Sequence, residues 1–183
     1  MKTLIDLIAL FAGVFLAFVV QHALPPMDDL QGARVVLVPL VFCYAAIVLP
    51  FPAMLAAAFY TGFFSDLFYL HIVGGAVEIP MGISIIYYVI LGCLASRFRS
   101  GPETAKMWMF SVLSGAGTCT FLLLQFLMIT WHRGGWEWAG AAAWRILAPG
   151  LMAALIAPLF HLVVSHIDNL IPDFSRMRRA SRR

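Results

Sequence analysis

Six apolar runs, at 4–24, 35–49, 52–70, 80–95, 107–130 and 146–167, alternate with short polar joints along the chain. At about 1.5 Å per residue, a run of twenty residues makes a helix of about 30 Å, the depth of a bilayer's hydrocarbon core. The joints carry turn residues: Pro25-Pro26 and Gly32, Pro50-Phe51-Pro52, Gly74-Gly75, then Ser100-Gly101-Pro102-Glu103. Two prolines with one residue between them cannot lie within a straight helix, because each lacks an N–H and restricts the residue before it. The second and third runs are therefore expected to form a tight helical hairpin, with Pro52 in the first turn of the third helix, where its missing donor is not needed. Pro80 opens the fourth helix, with Glu78 just ahead of it at the positive end of the helix dipole. Ser100 and Glu103 have the S-x-x-E spacing of a capping box and start the fifth helix near Pro102. The pattern predicts an all-α, polytopic membrane protein of six transmembrane helices in a single domain. Inter-run stretches of about fifteen residues fall far below the ~50 of a soluble domain.

Finer patterning distinguishes the helices. Ala9, Gly13 and Ala17 recur every four residues on the first, a small-residue stripe that lets another helix approach closely. No small-x-small cleavage site closes that run, so it is read as a retained helix and not a secretory signal. Ser111, Ser114, Gly117 and Thr118 group on one face of the fifth helix and suggest a helix contact. Pro149-Gly150 and Pro158 interrupt the sixth, where a kink is expected. Between these two helices, 132–144 carries Trp136, Trp138 and Trp144, with Trp131 just before it. Indole rings favour the headgroup layer, so a loop or short helix on the membrane surface is expected.

Composition agrees: 62% of the 183 residues are hydrophobic and 11% charged, with mean hydropathy +0.92, whereas a soluble domain is about 25% charged. Net charge is +3. Counting Lys and Arg on each side of six spans gives nine (Lys2, Arg97, Arg99, Lys106, Arg176, Arg178, Arg179, Arg182, Arg183) against three (Arg34, Arg133, Arg145). The positive-inside rule then puts both termini in the cytoplasm. The basic residues report topology and not nucleic-acid binding. The five arginines of the tail beyond 168 could attract anionic lipid, or serve only as a topological anchor. Cys43, Cys93 and Cys119 each lie within an apolar run with no C-x-x-C pair, and are read as buried thiols.

One carboxylate stands out. Asp66 lies one turn from the end of the third run, where burial costs less than the roughly 2.5 to 3.5 kcal/mol of mid-bilayer yet still requires something to offset it. It reads as a proton or cation site, a ligand anchor, or a structural group sharing its charge with polar neighbours. Gly62 lies one turn earlier on the same face and allows another helix to approach. His71, Glu78 and Trp136, on the same side as Asp66, could line an outward pocket. His161, Ser165 and His166 bring no G-x-S-x-G elbow and no H-E-x-x-H pair. His161 and His166 lie about 140° apart round a helix and cannot share a metal. No catalytic residue, metal or cofactor is expected.

The leucine-proline hairpin before the third helix, Gly62-Phe63-Phe64-Ser65-Asp66-Leu67, the Gly74-Gly75 turn and the Ser84-Ile85-Ile86-Tyr87-Tyr88 fourth helix together resemble the rod shape-determining protein MreD family, best over 49–94. The resemblance implies a non-enzymatic scaffold in the bacterial inner membrane that binds the single-span protein MreC. Through MreC it would work with the MreB filament and the RodA transglycosylase with its transpeptidase in lateral peptidoglycan synthesis. Gly62 and Asp66 carry over by motif, with Pro50 and Pro52 setting the hairpin. A fold similar to the substrate-binding subunits of energy-coupling-factor vitamin transporters is the alternative, with the Ala9, Gly13, Ala17 stripe as its coupling surface.

Overall fold

The computed structural model describes residues 2–30, 32–69, 72–73, 76–77, 81–100, 103–133 and 140–170, with side chains described at 8–30, 32–69, 81–98, 107–133, 140 and 142–166. Six helices follow in order: α1 (Lys2–Ala23), α2 (Val38–Val48), α3 (Phe51–Phe68), α4 (Ile83–Ser96), α5 (Glu103–Arg133) and α6 (Gly140–Leu170). Short 3-10 turns lie at Asp28–Leu30 and Arg97–Ser100. Between α3 and α4, β1 (Ile72–Val73) pairs antiparallel with β2 (Ala76–Val77), a two-residue ladder. Three stretches, Phe51–Phe68, Met107–Arg133 and Ala142–His166, are long and apolar enough to cross a membrane. Ile8–Ala23, Val38–Val48 and Ile83–Ser96 are shorter apolar helices.

The short α2 is the centre. It packs against each of α1, α3, α4, α5 and α6, and Val38, Leu40, Phe42, Cys43, Ala45, Ala46 and Ile47 are all buried. At its end Leu49 is extended, φ −76° and ψ 149°, as a residue preceding proline prefers. Pro50 caps α3 with extended backbone and Pro52 sits in that helix's first turn. A helix apolar all round suits a position surrounded by others. The outward faces are apolar too: Leu147, Leu151, Leu155, Leu159 and Leu162 line the exposed side of α6. Acyl chains suit that surface, and between helices in lipid the cohesion comes from close packing and hydrogen bonds.

The α5–α6 pair shows how prolines are accommodated in such a helix. The helix of α6 runs through both Pro149 and Pro158. Pro158 has no N–H to give the carbonyl of Ala154, four residues earlier, and the hydroxyl of Ser111 on α5 donates to that carbonyl instead. Crossing this closely needs small residues: a Cβ on Gly115 would lie 2.9 Å from both the Gly150 oxygen and the Ala154 Cβ. A neighbouring Ser satisfying a backbone group freed by proline is the expected remedy in a membrane interior.

Several sequence expectations are revised. Cys43 is buried, but Cys119 is only partly so and Cys93 is exposed on the outward side of α4. An apolar environment in sequence does not distinguish a core-facing from a lipid-facing position. The face of α5 serves two neighbours and not one: Ser111 reaches α6 and Gly117 meets Leu91 and Tyr87 of α4, while Ser114 and Thr118 are buried. The two ends of the segment expected as a surface loop or short helix belong to the flanking helices, since α5 continues to Arg133 and α6 begins at Gly140, while 134–139 lies outside the described residues. Trp131 and Trp144 are thus helical and exposed, helped by the strong helix formers Ala141–Ala143. Trp136 and Trp138 lie outside the described residues, as do His71, Glu78, Pro80, the Gly74-Gly75 pair, Gly101, Pro102 and the arginines of the tail.

Candidate functional site at the ends of α3 and α4

Asp66 is 5% exposed, and its carboxylate is engaged by the start of the next helix. Oδ2 accepts the backbone N–H of Gly82 at 2.6 Å and Oδ1 that of Ser84 at 3.3 Å. Gly82 is the N-cap of α4, and no side chain of its own caps that helix. The first N–H groups of any helix lack intrahelical partners and carry its positive partial charge. Asp66 therefore caps α4 from α3, and this pairing offsets the cost of placing an acid there. The cap also explains Gly82, whose φ of +104° lies in the left-handed region that favours glycine.

Gly62 sets the distance. A Cβ there would fall 2.5 Å from the Ile85 amide nitrogen and 2.9 Å from its Cγ1, so the backbone of α4 rests against bare α3 backbone one turn below Asp66. Gly-x-x-x-Asp is thus one clamp: glycine brings the first turn of α4 in, and aspartate four residues on holds its N–H groups. Both side-chain positions face inward. Ser65, between them, makes a long 3.5 Å bond to the Tyr88 hydroxyl in the core. Thr61, one position before Gly62, is fully buried and its hydroxyl has no hydrogen-bond partner among the described residues.

A second polar group lies at the same end of the bundle. Gln21, 4% exposed, accepts the Leu37 N–H through Oε1 at 3.2 Å and donates through Nε2 to the Tyr69 hydroxyl at 2.8 Å. It therefore links α1, the start of α2 and the end of α3. Tyr69 packs edge-on to Phe121 of α5, centroids 6.0 Å apart. Gln21, Gly82 and Ser84 are not sequence candidates, and Tyr69 reads in sequence only as a polar neighbour of Asp66. A polar residue one turn before a span end, followed by a short helix with no cap of its own, was the signal that could have found Gln21.

The remaining candidates disperse. On α1, Ala17 is buried, Gly13 partly so and Ala9 exposed. A Cβ on Gly13 would meet only Val41 of α2 at 3.9 Å, an ordinary contact, so the stripe faces α2 in part without requiring glycine. Pro50 and Pro52 shape the turn at the opposite end of α3 from Asp66. His161 packs edge-on against Tyr44 at 6.2 Å. Among the described residues no group of three or more His, Cys, Asp or Glu is placed to hold a metal ion.

Comparison with protein-family models, with curated proteins and with solved structures finds no match.

Proposed function

We propose that this protein is a non-enzymatic scaffold in a bacterial inner membrane, of the MreD kind, which binds MreC and helps direct lateral peptidoglycan synthesis with MreB and the RodA transglycosylase and its transpeptidase. On this reading all six helices cross the membrane, and the nine-to-three distribution of Lys and Arg puts both termini in the cytoplasm. The observation that supports it is the Asp66 clamp. A carboxylate whose two oxygens both accept backbone N–H groups of its own chain is occupied in holding helices together. That suits a frame whose output is association, and suits less well a relay that must exchange protons or a pocket that must present a free acid.

The test is complementation. Expressed in a rod-shaped bacterium depleted of its own MreD, the full chain together with its cognate MreC should restore rods, and MreC should co-isolate with it in mild detergent. Cells that remain spherical, with no MreC in the eluate, would overturn the reading. Retention of a vitamin on the purified chain would instead favour the substrate-binding subunit of an energy-coupling-factor transporter.

A further inference from the structure

The two polar links at this end of the bundle obey one spacing. Gln21 reaches the N-cap of α2 across sixteen residues, and Asp66 reaches the N-cap of α4 across sixteen residues. Gln21 and Asp66 are themselves 45 residues apart. So are the last residues of α1 and α3, Ala23 and Phe68, and the two N-caps, Leu37 and Gly82. In the connectors, Met27 opens an antiparallel pairing with Ala33, and Ile72, 45 residues on, opens one with Val77, which turns back one residue sooner. Four residues before each capping side chain stands a buried small residue, Ala17 or Gly62. Neither α2 nor α4 has a side-chain cap of its own. The residues themselves differ at nearly every one of these positions, so the correspondence is of geometry.

We infer that α1–α2 and α3–α4 are two copies of one helix–connector–helix unit, each latched by a polar side chain that the leading helix lends to the following one, and that Gln21 is the neutral counterpart of Asp66. The chemistry of the two starts explains why one latch is an amide and the other an acid. Asp66 has two N–H groups to satisfy, those of Gly82 and Ser84. The position equivalent to Ser84 in the first unit is Pro39, which has no N–H. One acceptor oxygen therefore suffices at Gln21, and its NH2 group is released to bind Tyr69, the residue that ends α3. Through Tyr69 the first latch is tied to the end of α3, three residues beyond Asp66. This holds independently of the cell-shape reading, since it concerns only hydrogen bonds within the chain.

Amide hydrogen exchange on the full chain in detergent micelles reads each latch separately. Removing one hydrogen bond should speed exchange of the amide it protected by roughly five- to tenfold. Gln21→Leu should do so at Leu37 and leave Gly82 and Ser84 unchanged, whereas Asp66→Leu should do the reverse. Gln21→Glu keeps the acceptor and should leave Leu37 within about twofold of its original rate. Should Gln21→Leu fail to fold, Tyr69→Phe removes a single hydroxyl while keeping the ring on Phe121, and should speed Leu37 about two- to threefold. Unchanged exchange at Leu37 in both Gln21→Leu and Tyr69→Phe overturns the inference. So does acceleration spread evenly over all helices, which would mean that neither side chain acts locally.

Discussion

Thr61 and Asp66 show two ways for a polar group to be buried in an apolar helix. Asp66 has its carboxylate filled by two N–H donors, whereas the Thr61 hydroxyl lies fully buried with no partner among the described residues. Leaving a buried hydroxyl unsatisfied costs about 1–3 kcal/mol, and replacing it with an apolar group of the same shape can be neutral or favourable. Thr61→Val should therefore raise stability by up to about 1 kcal/mol, seen as a higher unfolding temperature in detergent. A drop of similar size would show that the hydroxyl is satisfied after all.

At the scale of elements, the proline in α6 and the serine on α5 form a second testable pair. Ser111 donates to the carbonyl that Pro158 leaves unaddressed, so Ser111→Ala should destabilise the protein by about 1 kcal/mol. In a Pro158→Ala background the residue at 158 recovers its own N–H for Ala154, and Ser111→Ala should then cost next to nothing. Thermal unfolding of the four variants measures this, and equal costs in both backgrounds would contradict it. Six helices were legible from hydropathy and punctuation because prolines and glycines mark the joints and apolar length marks the spans. Which faces point inward was not legible, because lipid and core are both apolar: Cys93 is exposed where Cys43 is buried, in runs that look alike. The site divides in the same way. Gly62 and Asp66 are readable together because they are one helical turn apart, and a shallow acid calls for a partner. That the partner is the backbone of Gly82 depends on a connector that folds back and on a left-handed glycine, neither of which periodicity encodes. Gln21 carries no such local signal, because its two partners are 16 and 48 residues away.

At the scale of the whole molecule, topology and clamp bear on different claims. The charge asymmetry predicts that a phosphatase reporter fused after residue 170 is inactive and a fluorescent reporter there is bright, as for a cytoplasmic tail; an active phosphatase would invert the orientation. The clamp is the more central claim, and a double-mutant cycle over Gly62→Ala and Asp66→Asn, read by equilibrium unfolding in detergent, tests it most directly. A methyl at Gly62 pushes the start of α4 away, at a cost of about 1–3 kcal/mol, and with α4 displaced the carboxylate has little left to hold. Asp66→Asn should cost about 1 kcal/mol alone and close to nothing beside Gly62→Ala, a coupling of at least about 0.5 kcal/mol. Strictly additive losses would mean that glycine and acid act separately and that no such clamp exists.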